Sequence, residues 1–199
     1  MPKILFNDNF CLQTAVFEGY KTHTRRVVKR QIPESILQRC LDGQELYVWS
    51  YAPYKKNGLV KIAQSYQDIF FELKSKSILN FCDADTFYKK YHNEEGWSNK
   101  LYVKTDVMIH SIFMLHARME YLQDITDDGC IKEGIRFDEN SNRYYFTKRS
   151  FDKYGNAVFT NFFFDSPRTA FASFVNAAYQ KGLWEQNPLV FDFEFKFHQ

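Results

Sequence analysis

The chain has no Cys-x-x-Cys pair, no glycine-rich phosphate loop and no serine-centred nucleophile elbow. Its four cysteines stand far apart at positions 11, 40, 82 and 130. That spacing argues against a structural zinc site and against a disulfide scaffold, and it suits a reducing cytoplasm. No apolar run approaches the roughly 20 residues that span a bilayer, and the opening Met1-Pro2-Lys3-Ile4-Leu5-Phe6 lacks a signal-peptide core. The five histidines show no metal-ligand spacing, so no metal and no cofactor is expected. Strong charge of one sign is missing too: the net charge of +2 over 199 residues is too mild to argue nucleic-acid binding by itself. There is no internal repeat and no low-complexity tract.

Aromatic residues are abundant, at 19% of the chain with 21 Phe and 13 Tyr. Some of them must line a core, and others can stack on bases. The basic charge is also uneven. Residues 21–30 hold Lys21, Arg25, Arg26, Lys29 and Arg30 with no acid among them, a solvated face or a phosphate patch.

Within that cluster the run from Glu18 to Arg26 carries chemistry. A lysine acts as a base when burial lowers its pKa, and a threonine hydroxyl becomes a nucleophile once a base takes its proton. A strand would send Lys21 and Thr24 to opposite faces. For them to meet, residues 19–24 must turn, which Gly19 permits because glycine tolerates positive φ.

Along the chain, residues 3–6 read as a first strand, and Asp8 or Asn9 caps a helix with Leu12, Ala15 and Val16 inward and Gly19 as its stop. A second helix is expected at 32–42 after Pro33. Glu45 to Ala52 is aromatic and reads as a strand, as does Leu59 to Tyr66 after a turn at 54–58. Residues 67–97 are charged and weakly periodic, an insertion. Lys100 to Lys104 and Ile109 to Tyr121 are expected strands, the second with Phe113, Leu115, Ala117, Met119 and Tyr121 inward and His116 and Arg118 facing the other way. Thr126 caps a short helix that stops at Gly134. Glu133 falls in its last turn, where the helix dipole disfavours a carboxylate and its pKa is expected to rise. Residues 137–165 read as a long hairpin turning at Asp152–Asn156. Ser166-Pro167 opens a helix with the stripe Ala170, Phe171, Phe174, Val175 and Ala178, ended by Gly182. In the last strand Phe191, Phe193, Phe195 and Phe197 alternate with Asp192, Glu194 and Lys196. Several strands with short helices predict an α+β curved sheet or small barrel rather than a doubly wound fold.

The run Gly19-x-Lys21-x-x-x-x-Arg26 resembles the GxKxxxxR signature of the ASCH domain, a branch of the PUA-like β-barrel superfamily. Asn57-Gly58-Leu59-Val60-Lys61-Ile62 resembles that family's second barrel strand. Leu122-x-x-Ile125-Thr126 with Lys132-Glu133-Gly134-Ile135 resembles its helix after the third core strand. Gly96-Trp97-Ser98-Asn99-Lys100 and the ending from Trp184 to Phe195 are similar to a phage- and prophage-associated group of ASCH-like proteins. The resemblance implies one PUA-like domain over residues 1–199, with insertions at about 67–97 and 137–165. Small members of the family include an amidohydrolase that deacetylates N4-acetylcytidine with a lysine, a threonine and a glutamate. Lys21, Thr24 and Glu133 fall on those positions. In such a site a neutral Lys21 takes the proton of Thr24, Thr24 attacks the amide carbonyl, and a protonated Glu133 supplies the leaving amine. Arg26 holds the substrate or the oxyanion. His23 and Arg25 depart from the small enzyme's apolar neighbours.

Three functions remain open at this point. The first is binding of RNA or a modified nucleoside in a basic cleft, with Lys21, Arg25 and Arg26 presented to phosphates, Tyr20, Tyr66 or Trp97 against a base, and Gly19 counted among the binding residues. The second is amidohydrolysis of N4-acylated cytidines through Lys21, Thr24 and Glu133. The third is a phage-derived interaction protein with an inactive cleft. Convergence of Lys21, Thr24 and Glu133 on one buried pocket favours catalysis. Trp97 and Trp184 also suit packing.

Overall fold

The structure, a computed structural model, describes residues 1–76 and 81–198. In chain order the elements are β1 (Lys3–Ile4), α1 (Leu12–Phe17), β2 (His23–Val27), α2 (Glu34–Leu41), α3 (Glu45–Tyr51), β3 (Leu59–Ile62), α4 (Tyr66–Ser75), α5 (Phe81–Tyr91), β4 (Ser111–Tyr121), α6 (Asp127–Lys132), β5 (Arg136–Asp138), β6 (Arg143–Phe151), β7 (Ala157–Phe164), α7 (Pro167–Ala178), α8 (Leu183–Gln186) and β8 (Leu189–His198). The class is α+β, and the strands do not close into a barrel. The chain forms two compact units: Met1–Phe6 with Leu59–Ile112 and His198, and Asn7–Gly58 with Phe113–Phe197.

In the first unit β1 runs parallel to β3, with Lys3 opposite Lys61 and Ile4 opposite Ile62. Its core gathers Ala63, Tyr66, Ile69, Val103 and Met108. The strand expected over 59–66 stops at Ile62 because Ser65 starts a helix: its hydroxyl accepts from the Asp68 amide while Asp68 answers the Ser65 amide, a capping box. The strand expected at Lys100–Lys104 is a turn instead. Asn99 Oδ1 accepts the Leu101 amide at 3.0 Å, and Lys3 Nζ takes the carbonyls of Leu101 and Val103 that a ladder would have used. Positions 77–80 of the charged insertion lie outside the described residues.

The second unit holds the ladder order β4-β8-β2, with β2 antiparallel to β8 and Thr24 opposite Phe193. A separate sheet has the order β5-β6-β7. Its hairpin turns where expected, with Asp152 Oδ1 accepting the Tyr154 and Asn156 amides at 2.8 Å. In the last strand Phe191, Phe193 and Phe195 are buried as expected, but Phe197 is only half-buried and Asp192, expected to face outward, is buried against Arg25 and Arg118. Ser166 caps α7, which buries Ala170, Phe171, Phe174 and Val175 but ends at Ala178, short of Gly182. Asn7, not Asp8 or Asn9, caps the single 3-10 turn before α1.

Two expectations fail for physical reasons. Residues 45–51 are helix α3, because aromatic strand preference is a packing effect rather than a backbone one. The helix lets Trp49 Nε1 donate to Glu45 Oε1 one turn earlier at 3.0 Å, while Val48 is fully buried and the Trp49 ring packs 5.9 Å from Phe193. In β4 the inward parity changes along the strand: Ile112 and Met114 are buried, then Ala117 and Met119. The alternation therefore slips by one residue near Leu115, as a bulge does. Phe113 and Leu115 are only half-buried and Tyr121 is exposed, while His116 and Arg118 face outward as expected.

Candidate functional site

Gly19 takes φ +80° at the end of α1 and turns the chain. The Lys21 amide then bonds the Ala15 carbonyl at 3.0 Å and the Thr22 amide bonds the Lys132 carbonyl at 2.9 Å. These two bonds bring residues 20–22 between α1 and α6 and send the Lys21 side chain inward, where it is 1% exposed. Its Nζ donates to the His23 carbonyl at 2.8 Å, the Glu133 carbonyl at 2.8 Å and Glu133 Oε2 at 2.6 Å. Three acceptors match the three protons of an ammonium.

Glu133 is placed by α6. Thr126 caps that helix through the Gly129 amide, and Glu133 ends it, 3% exposed. Arg25 occupies the other side of the carboxylate. Its guanidinium reaches Glu133 Oε1 at 3.3 Å, Glu120 Oε1 at 2.7 Å and Asp192 Oδ2 at 3.2 Å. Arg118 joins the same network through Asp192 Oδ2 at 2.9 Å and Glu120 Oε2 at 3.1 Å. Gly129 permits this approach of helix to guanidinium, since a Cβ there would lie 3.3 Å from Arg25 Nη2 and 2.9 Å from Ile125 Cγ1.

Burial pushes the Glu133 carboxyl up, but Lys21 and Arg25 outweigh it, and the group sits below its ordinary value. The rise expected from the helix end is therefore reversed: two cations at hydrogen-bond range exceed a dipole effect of at most about 2 kcal/mol. Burial lowers Lys21 despite the Glu133 carboxylate. Burial raises Asp192 despite Arg25.

A cavity of about 240 Å³ opens beside this network. Its lining includes the charged Arg25, Arg26, Lys29 and Glu133 and, from the α7 region, Phe171, Phe174, Val175 and Tyr179. Lys21 and Thr24 are buried and do not line it. Thr24 is 1% exposed and lies in β2 opposite Phe193. Tyr20 stands at a separate crevice, with the Arg136 guanidinium 4.8 Å from its ring centre. Tyr66 and Trp97 belong to the first unit and pack there. Tyr66 stacks on Tyr91 at 4.3 Å, and Trp97 meets Tyr88 at 5.4 Å and Phe70 at 5.9 Å.

Sequence reasoning missed Glu120, Arg118 and Asp192 as members of this network, and the aromatic face of α7 as a cavity wall. The available signal was the polar parity of β8, which carries Asp192 and Glu194. Among the described residues, no group of three His, Cys, Asp or Glu side chains is placed to hold a metal, and no helix is long and apolar enough to cross a membrane. Compared with known protein families, curated proteins and solved structures, the chain matches none.

Proposed function

We propose that the second unit binds a modified nucleoside, free or exposed in RNA, in the cavity between Arg26 and α7. The observation that carries this reading is the cavity's mixed lining: Arg25, Arg26, Lys29 and Glu133 share a space of about 240 Å³ with Phe171, Phe174 and Tyr179. Small-ligand sites combine such an apolar wall with a few placed polar groups. Aromatic rings accept the face of a base, Arg26 and Lys29 meet phosphate or carbonyl oxygen, and the Glu133 carboxylate accepts from an exocyclic amide N–H. The resemblance of residues 19–26 to the ASCH run supports the same reading.

Amidohydrolysis is the second reading; the Lys21–Glu133 contact supports it, while of Lys21, Thr24 and Glu133 only Glu133 lines the cavity, which favours binding. The mechanism needs an amine at Lys21 and a carboxylic acid at Glu133. The ion pair holds the same number of protons, one step of 2.6 Å away. The required tautomer therefore needs no proton from solvent, but Lys21 and Arg25 hold the Glu133 carboxyl below its ordinary value, so forming the acid there costs free energy. In this reading Thr24 attacks the acyl carbonyl as Lys21 takes its proton, and Glu133 protonates the departing amine. Water then hydrolyses the acyl-threonine ester to release acetate and restore the hydroxyl. The acyl group has to reach past the cavity wall, since neither Thr24 nor Lys21 lines the cavity.

Calorimetric titration of cytidine, N4-acetylcytidine and its 5′-monophosphate, with product analysis by chromatography, separates the readings. The binding reading predicts saturable heat for N4-acetylcytidine and, for the monophosphate, a loss of about tenfold or more in Arg26→Ala, the worth of one charge-assisted hydrogen bond. Release of acetate that Thr24→Ala and Lys21→Met abolish while binding persists establishes the hydrolase. Absence of heat with all three ligands refutes both.

A further inference from the structure

The hairpin of β6 and β7 ends in an unguarded edge. The order β5-β6-β7 leaves β7 on the outside, and no strand among the described residues pairs with its outer edge. Its sequence, Ala157-Val158-Phe159-Thr160-Asn161-Phe162-Phe163-Phe164, carries no charge, no proline and no glycine. An edge strand presents a row of open N–H and C=O groups, which proteins blunt with lysine, proline, a bulge or a covering element. The register to β6 runs unbroken from Tyr144 opposite Phe164 to Phe151 opposite Ala157, so no bulge turns this edge away.

What lies open is the edge rather than one face. Successive strand residues point to opposite faces, yet every residue from Ala157 to Phe163 is exposed. A partner lying flat on the sheet, such as a row of stacked bases, covers alternate residues only. A strand laid along the edge meets both sets. Phe151 and Phe159 are 61% exposed, Phe162 40% and Phe163 37%. At roughly 150–250 Å² for a whole side chain, these four leave roughly 400 Å² of aromatic surface open on one copy. Doubled across a two-fold axis and joined by Val158 and the strand backbone, that surface reaches the low end of specific interfaces, roughly 1,200 Å² in total. Such a dimer dissociates on dilution.

Charge selects a second copy as the partner. Within the sheet, Arg149 and Lys153 outnumber Asp152 at the turn, while Asp138, Glu139 and Asp165 outnumber Arg136 and Arg143 at the other end. Antiparallel pairing about a two-fold axis sets the turn of each copy beside the Asp165 end of the other, so opposite signs meet. Between those ends β7 is uncharged, and no like charges are brought together there. A parallel pairing would set Asp165 beside Asp165 instead. We propose that β7 pairs antiparallel with β7 of a second copy, joining the two three-stranded sheets into one across a dimer. The interface stands apart from the nucleoside reading, because no residue of β7 lines that cavity.

Sedimentation velocity of the full chain between about 1 and 100 μM reads the association directly. The expected result is a monomer–dimer equilibrium within that range, weakened by about tenfold or more in Phe159→Lys and in Thr160→Lys, which place a charge on either face of the edge. Both positions are exposed, so the variants retain the wild-type circular dichroism. Leu46→Lys, at an exposed apolar residue of α3, leaves the dimer unchanged. Asp165→Lys weakens the dimer, and Lys153→Asp added to it restores the affinity by reversing the pair. A monomer at every concentration, a dimer that neither β7 lysine weakens, or a loss in Asp165→Lys that Lys153→Asp does not recover overturns the proposal. So does a monomer whose β7 lysine variants lose binding of a fluorescent oligouridylate, a result that assigns the strand to nucleic acid.

Discussion

Replacing Glu133 by alanine leaves Lys21 buried without its carboxylate. The ammonium keeps the His23 and Glu133 carbonyls, while Arg25 keeps Glu120 and Asp192. Removing one partner of a buried pair costs about 3–5 kcal/mol. The structure sets a ceiling on that figure, because Lys21 can always discard its proton. Against an ordinary pKa of 10.5, neutralising it at pH 7 costs about 5 kcal/mol at 1.36 kcal/mol per unit. The reverse change, Lys21→Met, strands Glu133 with Arg25 still at 3.3 Å. Its ceiling is about 3.5 kcal/mol, reckoned from an ordinary value of 4.5. Urea unfolding followed by far-ultraviolet circular dichroism is therefore expected to rank Glu133→Ala as more damaging than Lys21→Met, with an unchanged denaturant slope. The double variant Lys21→Met/Glu133→Gln should lose less than the sum of the two. The sign of the pH dependence follows. In Glu133→Ala the folded chain binds fewer protons at Lys21 than the unfolded chain below pH 10.5, so stability rises with pH toward that value. A cost under about 1 kcal/mol, or a flat response between pH 7 and 10, would refute the buried-pair argument.

Other consequences are open to direct measurement. Burial pushes the Glu45 carboxyl up, but Lys56, Trp49 and the Ala117 amide outweigh it and hold it at about 2; its stabilising contribution is present above pH 4.5 and lost as pH falls toward 2, a loss that Glu45→Gln should remove from the acid-unfolding curve. Burial pushes the Cys130 thiol up to about 12 and raises Cys40 and Cys11 as well, but Cys11 is half-exposed where the other two are buried. Peptide mapping after brief alkylation at pH 8 should therefore find Cys11 modified and Cys40 and Cys130 untouched, whereas rapid labelling of Cys130 would contradict the packing around α6. A Cβ at Gly96 would stand 2.6 Å from the Tyr66 ring, which Tyr91 already stacks at 4.3 Å; Gly96→Ala should cost the first unit about 1–3 kcal/mol, and a neutral result in thermal unfolding would show that the ring can yield. Phe146 is 6% exposed against Phe10 and Phe174, so Phe146→Ala should cost about 3–5 kcal/mol by urea unfolding.

Local signals carried much of the fold. Thr126 and Ser166-Pro167 start their helices because capping acts within four residues, and the Phe alternation of β8 needs only one buried face. The capping box at Ser65 was equally local and went unused. What the sequence hid is set by distant partners. The strand-like aromatics at 45–51 form a helix because Glu45 and Trp49 pair across one turn and only Val48 is fully buried. Lys100–Lys104 loses its carbonyls to Lys3, about a hundred positions away. In the candidate site, the burial of Lys21 and its meeting with Glu133 follow from the Gly19 turn and the short helix α6. The Arg25–Asp192 contact joins residues 167 positions apart, and no spacing rule reaches that far. Glu133 sits low rather than high because Lys21 and Arg25, brought from β2 and the turn before it, both reach its carboxylate.

The most direct measurement of the central claim is a crystal structure of the chain grown with N4-acetylcytidine. The account predicts the nucleoside in the cavity lined by Arg26 and Phe174, its base against the α7 aromatics and its N4 substituent toward the Glu133 carboxylate. An empty cavity at saturating ligand, or the nucleoside bound at another surface, would contradict it.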